Sequence, residues 1–358
     1  MTPVKGWLRY EPPTIPSPLP SHRLRVRNLG NVRATANRAK PIQAAEPQTT
    51  GGVSTAGEHD GKQAVTLRAP FPYFGGKSRA AHLIWDRFGD VANYVEPFAG
   101  SLAVLLARPT EPRIETVNDL DCHIANFWRA VQFDPDSVAE WCDWPVNEAD
   151  LHARHLWLVQ GLPAHRERMK TEPDYFDAKI AGWWVWGICQ WIGSGWCAER
   201  KPPIQLPHVG GTGRGVHRKL PHVGGTGRGG LFDELQARLR RVRVCCGDWS
   251  RVTGDSVTWR HGLTGVLLDP PYQDGNMEYV AGHGNVSQDV AKWAIENGDN
   301  PLMRIALCGY EGEHDMPSSW ECVHWKATGG YSSDLTNSRR ERIWFSPHCL
   351  GATQRSLF

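Results

Sequence analysis

The 358-residue sequence predicts an α/β protein assembled from βαβ units. Three observations predict it. The stretch Tyr94-Val95-Glu96-Pro97-Phe98-Ala99-Gly100-Ser101 runs into apolar Leu102 to Ala107. That order of strand, tight glycine turn and helix opens a nucleotide-binding unit. A second short strand, Glu115-Thr116-Val117, ends in Asn118-Asp119 and leads into a helix from about Leu120 to Gln132. Finally, Gly265-Val266-Leu267-Leu268 reads as a buried strand stopped by two prolines, with Asp269-Pro270-Pro271-Tyr272 at its tip.

Composition sets the outer limits. A 40% apolar share supports a proper core, and the formal net charge is only +2, so any argument for nucleic acid must be local. No apolar stretch is long enough to span a membrane and no signal-peptide pattern is present, so a cytoplasmic protein is expected. The nine cysteines include no C-x-x-C and read as reduced thiols. Cys189, Cys197, His208 and His217 match no common zinc spacing, so no metal is expected.

Residues 1–65 read as a disordered basic extension, rich in Pro, Arg, Thr and Ala and carrying Arg23, Arg25, Arg27, Arg33 and Arg38. Order begins at Pro70. Phe71-Pro72-Tyr73-Phe74-Gly75-Gly76-Lys77-Ser78 is an aromatic, glycine and lysine turn that leads into a helix from Arg79 to Phe88. Its glycines let the backbone approach a ligand, and Lys77 offers a charge to a carboxylate or phosphate. Phe71 stands where a P-loop requires glycine, which excludes that motif. Asp119 has the spacing of a ribose-binding acid, while Asn118 or Asp119 could equally cap the helix that follows.

Residues 136–240 read as an insertion. Its early part is helical, with Trp141, Leu151, Leu156, Trp157 and Leu158. The tryptophan-rich run from Ile180 to Trp191 is expected in the core. Leu206 to Gly215 recurs unchanged as Leu220 to Gly229, at a glycine density that forbids a packed core. Arg200, Lys201, Arg214, Arg218, Lys219 and Arg228 stand in this segment with no acid between them, which is the pattern of a phosphate-contacting surface. A helix follows from about Leu231 to Arg240, then a strand from Val242 to Cys245. At the strand's tip, Gly247-Asp248-Trp249 supplies a carboxylate for an adenine amino group and an indole to stack on the ring.

The tip at 269–272 suits an exocyclic amine. Asp269 and the Pro270 carbonyl are acceptors, and the prolines bring no competing N–H. Tyr272 offers a flat face for an extruded base. Beyond it come a helix from Ser287 to Asn297, a strand from Arg304 to Leu307 and a last strand from Glu341 to Phe345. Tyr331, Ser332, Ser333, Asn337 and Arg339 form a polar loop expected at the cleft edge, and residues 348–358 read as a tail.

Taken in order, Tyr73 to Lys77, Glu96 to Gly100, Asp119, Gly247 to Trp249 and Asp269 to Tyr272 resemble the Dam-type (D12 class) adenine-N6 DNA methyltransferases, and more closely their phage and prophage members. The resemblance implies a Rossmann-like class I S-adenosylmethionine-dependent methyltransferase. Its sheet would be mixed and seven-stranded, mostly parallel with one antiparallel strand near the edge. The catalytic domain would be 66–135 and 241–347, and the insertion at 136–240 would read the target. S-adenosylmethionine would contact Tyr73, Lys77, Glu96, Pro97, Phe98, Gly100, Asp119, Asp248, Trp249 and Asp269. Asp269, Pro270, Pro271 and Tyr272 would hold a flipped adenine of double-stranded DNA for direct attack of N6 on the methyl group. Methylation of RNA adenine or of DNA cytosine-N4, or an inactive nucleic-acid-binding protein, are the competing readings. A monomer is expected, with a cognate restriction endonuclease as a conceivable partner. Leu102 departs from the family, which usually carries a glycine there, and the central segment does not look like a GATC-reading hairpin, so no GATC target is assigned.

Overall fold

The computed structural model describes residues 67–73, 76–191, 196–197, 206–207, 230–272, 286–325 and 340–351. The basic extension, the duplicated loop with all six of its named cations, His208, His217, Gly75 and the polar loop from Tyr331 to Arg339 lie outside the described residues.

Seven strands form one sheet: β1 (Asn93–Glu96), β2 (Ile114–Asp119), β3 (Arg243–Cys246), β4 (Thr264–Leu268), β5 (Met303–Tyr310), β6 (Glu321–His324) and β7 (Glu341–Phe345). Their order across the sheet is β3-β2-β1-β4-β5-β7-β6. The pairs from β3 to β5 are parallel, and β7 runs antiparallel to both of its neighbours. This is the expected mixed sheet with one reversed strand near the edge. Strand order reverses between β1 and β4, and in open α/β sheets the crevice outside the strand ends at such a point takes ligands.

The central strands are buried on both faces and alternate with period two. Tyr94, Leu267, Ala306 and Cys308 enter one core, and Val95, Val266, Leu268, Ile305 and Leu307 enter the other. The first core is covered by α1 (Ala81–Phe88), α2 (Ala103–Leu106) and α3 (Cys122–Phe133), and the second by α8 (Val286–Asn297). At Gly265 an added Cβ would sit 2.9 Å from the Phe88 ring, so the missing side chain lets α1 lie close on β4.

The segment between β2 and β3 packs into the same core. It holds α4 (Pro135–Cys142), α5 (Glu148–Thr171), α6 (Ala178–Gln190) and α7 (Leu231–Leu239). Each of the first three has a side-chain N-cap: Asp134, Asn147 and Asp177 accept from Ser137, Asp150 and Ile180. Asn126 on α3 bonds both the N–H and the carbonyl of Asp177, so α3 holds the start of α6. Trp184 and Trp186 are almost fully buried and join Phe71, Phe127 and Trp128, which agrees with a core role for the tryptophan run. Glu115, buried on β2, is gripped by Arg238 of α7 through two bonds and by Arg108.

The structure corrects two readings. The cap of α3 is Asp121, which accepts from the His123 N–H; neither Asn118 nor Asp119 caps it. The edge strand β6 was absent from the sequence reading, because its burial is mostly exposed and shows no alternation. All nine cysteines are free. No helix among the described residues is long and apolar enough to cross a membrane.

Close packing of α6 generates a prediction. A Cβ at Gly187 would lie 1.9 Å from the Trp196 ring. Gly187→Ala is expected to lower stability by about 1–3 kcal/mol, the usual cost of overpacking, as read from the urea midpoint.

Candidate active site

The site is built where β1, β2, β3 and β4 end together. Asp269 follows β4 directly, and Lys77 comes from the turn before α1. Lys77 is buried, with its Nζ 2.8 Å from Asp269 Oδ1. Burial alone would lower the lysine pKa; Asp269, with Cys308 and Glu341, outweighs it and raises the pKa above the ordinary value. The ammonium lies 5.2 Å from the Tyr272 ring centroid and 5.6 Å from that of Trp325.

Tyr272 does not offer the open face expected of it. Its ring is buried, edge-on to Tyr310 at 4.6 Å. Its hydroxyl lies 3.1 Å from Asp269 Oδ1 and 3.0 Å from Glu341 Oε2. One hydroxyl hydrogen cannot serve two carboxylates. Both bonds are satisfied when Glu341 is protonated and donates to the tyrosine oxygen, while the tyrosine donates to Asp269. Burial raises the Glu341 pKa over the opposing pull of Lys77, which favours that state. Every contact described to the Asp269 carboxylate therefore ends on Oδ1. The side chain keeps 23% of its surface exposed. No described backbone bond ends on the Pro270 carbonyl.

A second group of residues surrounds the turn after β1. The Gly100 N–H donates to Asp119 Oδ2 at 2.9 Å, and the Asp121 N–H donates to Oδ1 at 2.9 Å. Burial, with the nearby Asp121 charge, pushes Asp119 up to about 7. Gly100 has a φ of 44°, and a Cβ there would lie 2.7 Å from the Tyr73 ring, so the turn and Tyr73 meet only because glycine stands at this position. Asn118 donates to the Pro97 and Gly247 carbonyls at 3.0 and 2.9 Å, joining the β1 and β3 tips, while its buried Oδ1 has no partner. Phe98 and Trp249 face each other at 6.5 Å, 27° from parallel. Asp248 is exposed and accepts from both the N–H and the hydroxyl of Ser250, which starts a short 3-10 helix at Trp249.

Glu96 is buried at the end of β1, and the Tyr94 hydroxyl donates to it at 3.0 Å. Sequence reasoning named Glu96 but missed Tyr94, and it read Glu341 only as the start of a strand. The available signal was an acid at the end of a short buried strand, which is stable there only with a partner.

Two predictions follow from these environments. Leu102 is fully buried and sits at φ 53°, in the left-handed region that favours glycine. Leu102→Gly relieves roughly 1 kcal/mol of backbone strain but forfeits the roughly 2–5 kcal/mol of a buried leucine. The variant is expected to be less stable by about 2 kcal/mol in urea unfolding. For Glu96, burial raises the folded-state pKa from 4.5 to about 8. The folded chain thus binds a proton that the unfolded chain has released, and this group's contribution to stability falls as pH rises from 4.5 to about 8. Glu96→Gln should flatten that fall, measured as the difference between urea midpoints at the two ends of the window.

Residues 73–150 match the family model of the D12 class N6 adenine-specific DNA methyltransferases. No curated protein matches the chain. The matched span holds Lys77, Glu96 to Gly100 and Asp119, while Asp248 and Asp269 to Tyr272 lie beyond it, on the adjoining strands of the same sheet. The doubly wound sheet agrees with this match: residues 73–150 carry the signature of the D12 class of adenine-N6 DNA methyltransferases, a family whose methyl donor is S-adenosylmethionine.

Proposed function

We propose that the adenine amino group is held at the tip of β4, by Asp269 Oδ2 and the Pro270 carbonyl, and that the target base leaves the duplex to reach them. The observation that carries this reading is the one-sided use of Asp269. Lys77 and Tyr272 both engage Oδ1, which leaves the other oxygen for a donor from outside. Two acceptors bind the two amino hydrogens and direct the nitrogen lone pair away from both. As positive charge develops on the nitrogen, the bond to a fixed carboxylate strengthens, so the contact favours the transition state over the ground state. Lys77 balances the charge of that carboxylate. Tyr272 and Glu341 are positioning residues, which fix Asp269 through its other oxygen.

The residues at the tips of β1, β2 and β3 fit the methyl donor. The fit rests on three features: the bare Gly100 turn, the Phe98 and Trp249 faces, and the acid and amide at the end of β2. The two aromatic faces stand near the roughly 7 Å that one flat ring between them requires. In this reading Asp248 and Trp249 hold the cofactor's adenine. Glu96, Pro97 and Phe98 line its methionine side with Tyr73, and Asp119 acts by holding the Gly100 turn. Bound there, S-adenosylmethionine supplies a methyl group activated by its sulfonium.

The test is transfer of label from S-adenosylmethionine to unmethylated genomic DNA, followed by nucleoside analysis. Wild type is expected to yield N6-methyladenine. Asp269→Ala should lose about a hundred- to a thousandfold in kcat while still binding the cofactor, the scale of removing a preorganised electrostatic contact. Near-normal turnover in that variant would remove Asp269 from the reaction.

A further inference from the structure

Residues remote in sequence from the methyl-transfer machinery form a second built pocket. Trp141, Trp144, Asp150, Arg154, Trp157 and Trp183, from α4, the loop after it, α5 and α6, line a cavity of about 250 Å³. Two cations lie against the rings. The Arg154 guanidinium is 4.2 Å from the Trp186 centroid, 4.8 Å from Trp183 and 4.9 Å from Trp144. Lys179 Nζ is 4.3 Å from the Trp183 centroid, 5.2 Å from Trp157 and 5.3 Å from Trp141. Trp144 and Trp157 nonetheless keep 43% and 44% of their surface exposed.

Two donors in this cluster are unsatisfied. Arg154, only 5% exposed, has a buried Nη1 with no partner, and so does Trp183 Nε1. Its weak pairing with Asp150, at 3.9 Å from Nη2, does not reach Nη1, and that acid already accepts from Trp144 and Asn147. Two cations on the rings against one distant acid leave the cluster positive, which favours a ligand with negative charge. Exposed indoles call for a flat partner. A methylated ammonium is disfavoured, because Arg154 and Lys179 already make the pocket positive. A nucleotide has a flat ring, carbonyl acceptors and a phosphate.

We propose that this pocket binds one unstacked nucleotide of the DNA substrate, with its base against Trp144 and Trp157 and its phosphate toward Lys179 and Arg154. The proposal rests on the reading of the chain as a DNA methyltransferase. The cavity, about 250 Å³, has room for a single base. The site is separate from the one at Asp269 and adds affinity for DNA without touching the reacting atoms.

The experiment uses the full chain and a fluorescein-labelled single-stranded oligothymidylate, with binding followed by anisotropy over a salt series. Trp157→Ala should weaken binding about tenfold or more, the size of one lost base stack, and Trp157→Phe should restore most of it. Lys179→Gln should reduce the salt slope by roughly 0.7, the value of one phosphate contact on a single strand. S-adenosylmethionine binding, measured by calorimetry, should stay at the wild-type value in all three, which also shows that they fold. Wild-type affinity in Trp157→Ala with an unchanged slope in Lys179→Gln overturns the proposal. So does a Trp157→Ala effect confined to an acidic aromatic peptide and absent with DNA. The same preparations are assayed for methyl transfer. Labelled DNA with no effect of the Trp157 and Lys179 variants sinks the pocket alone, whereas no labelled DNA and no DNA binding by wild type sinks the methyltransferase reading beneath it.

Discussion

The ion pair between Lys77 and Asp269 is the constraint on which the site rests. Taking an ammonium out of water costs several kcal/mol, and a carboxylate at 2.8 Å makes its burial tolerable. The pair joins the turn before α1 to the tip of β4, so the aromatic-glycine-lysine segment is positioned by the sheet it covers. It also sets the local charge count. Glu341 is buried near the same ammonium, Glu341 and Glu96 both feel the Asp269 charge, and burial raises the pKa of both. The hydroxyls of Tyr94 and Tyr272 lie against these two acids at 3.0 Å each.

Topology brings these groups together without long-range adjustment. The reversal of strand order between β1 and β4 sends the crossovers to opposite sides and opens a crevice at the strand ends. Asn118 then ties the flanking turns by bonding the Pro97 and Gly247 carbonyls, and Trp128 of α3 bonds the Gly100 carbonyl at 2.9 Å. The loops that meet at the cleft are therefore anchored to β2 and α3. These anchors make no contact with Asp269, whose side chain stays partly exposed at the tip of β4.

Much of this was legible in the sequence. The strands β1, β2, β4, β5 and β7 are apolar runs that end in polar tips, and period and punctuation suffice to find them. The Asp269 tip was found because an acid, two prolines and a tyrosine close a buried run and the other motifs precede it in order; alone it would read equally as a turn. Other features left no local signal. Strand β6 is an exposed edge, so neither burial nor alternation marks it. The cap of α3 was misplaced by two or three residues, because Asn118, Asp119 and Asp121 are all competent caps and only the packing of the β2 tip selects among them. The roles of Glu341 and Tyr94 depend on contacts across the sheet, which spacing along one strand does not encode. Tyr272 was read as an open face because a motif names a residue type and not its burial. Leu102 shows the converse: a departure in sequence marks a position whose backbone still adopts the glycine-like conformation.

The origin of Glu341 has a consequence for how the protein matures. It lies on β7, the last strand of the sheet to be translated, and β7 is inserted between β5 and β6 in reverse orientation. Until that strand docks, β5 has an unpaired edge and Tyr272 has only Asp269 to bond. The strands β1 to β3 precede β7 in the chain, so the tips they carry are made before the residue that completes the hydrogen bonding of Tyr272. Glu341 reaches Tyr272 only once β7 has docked, so this contact is the last of the site to form during synthesis.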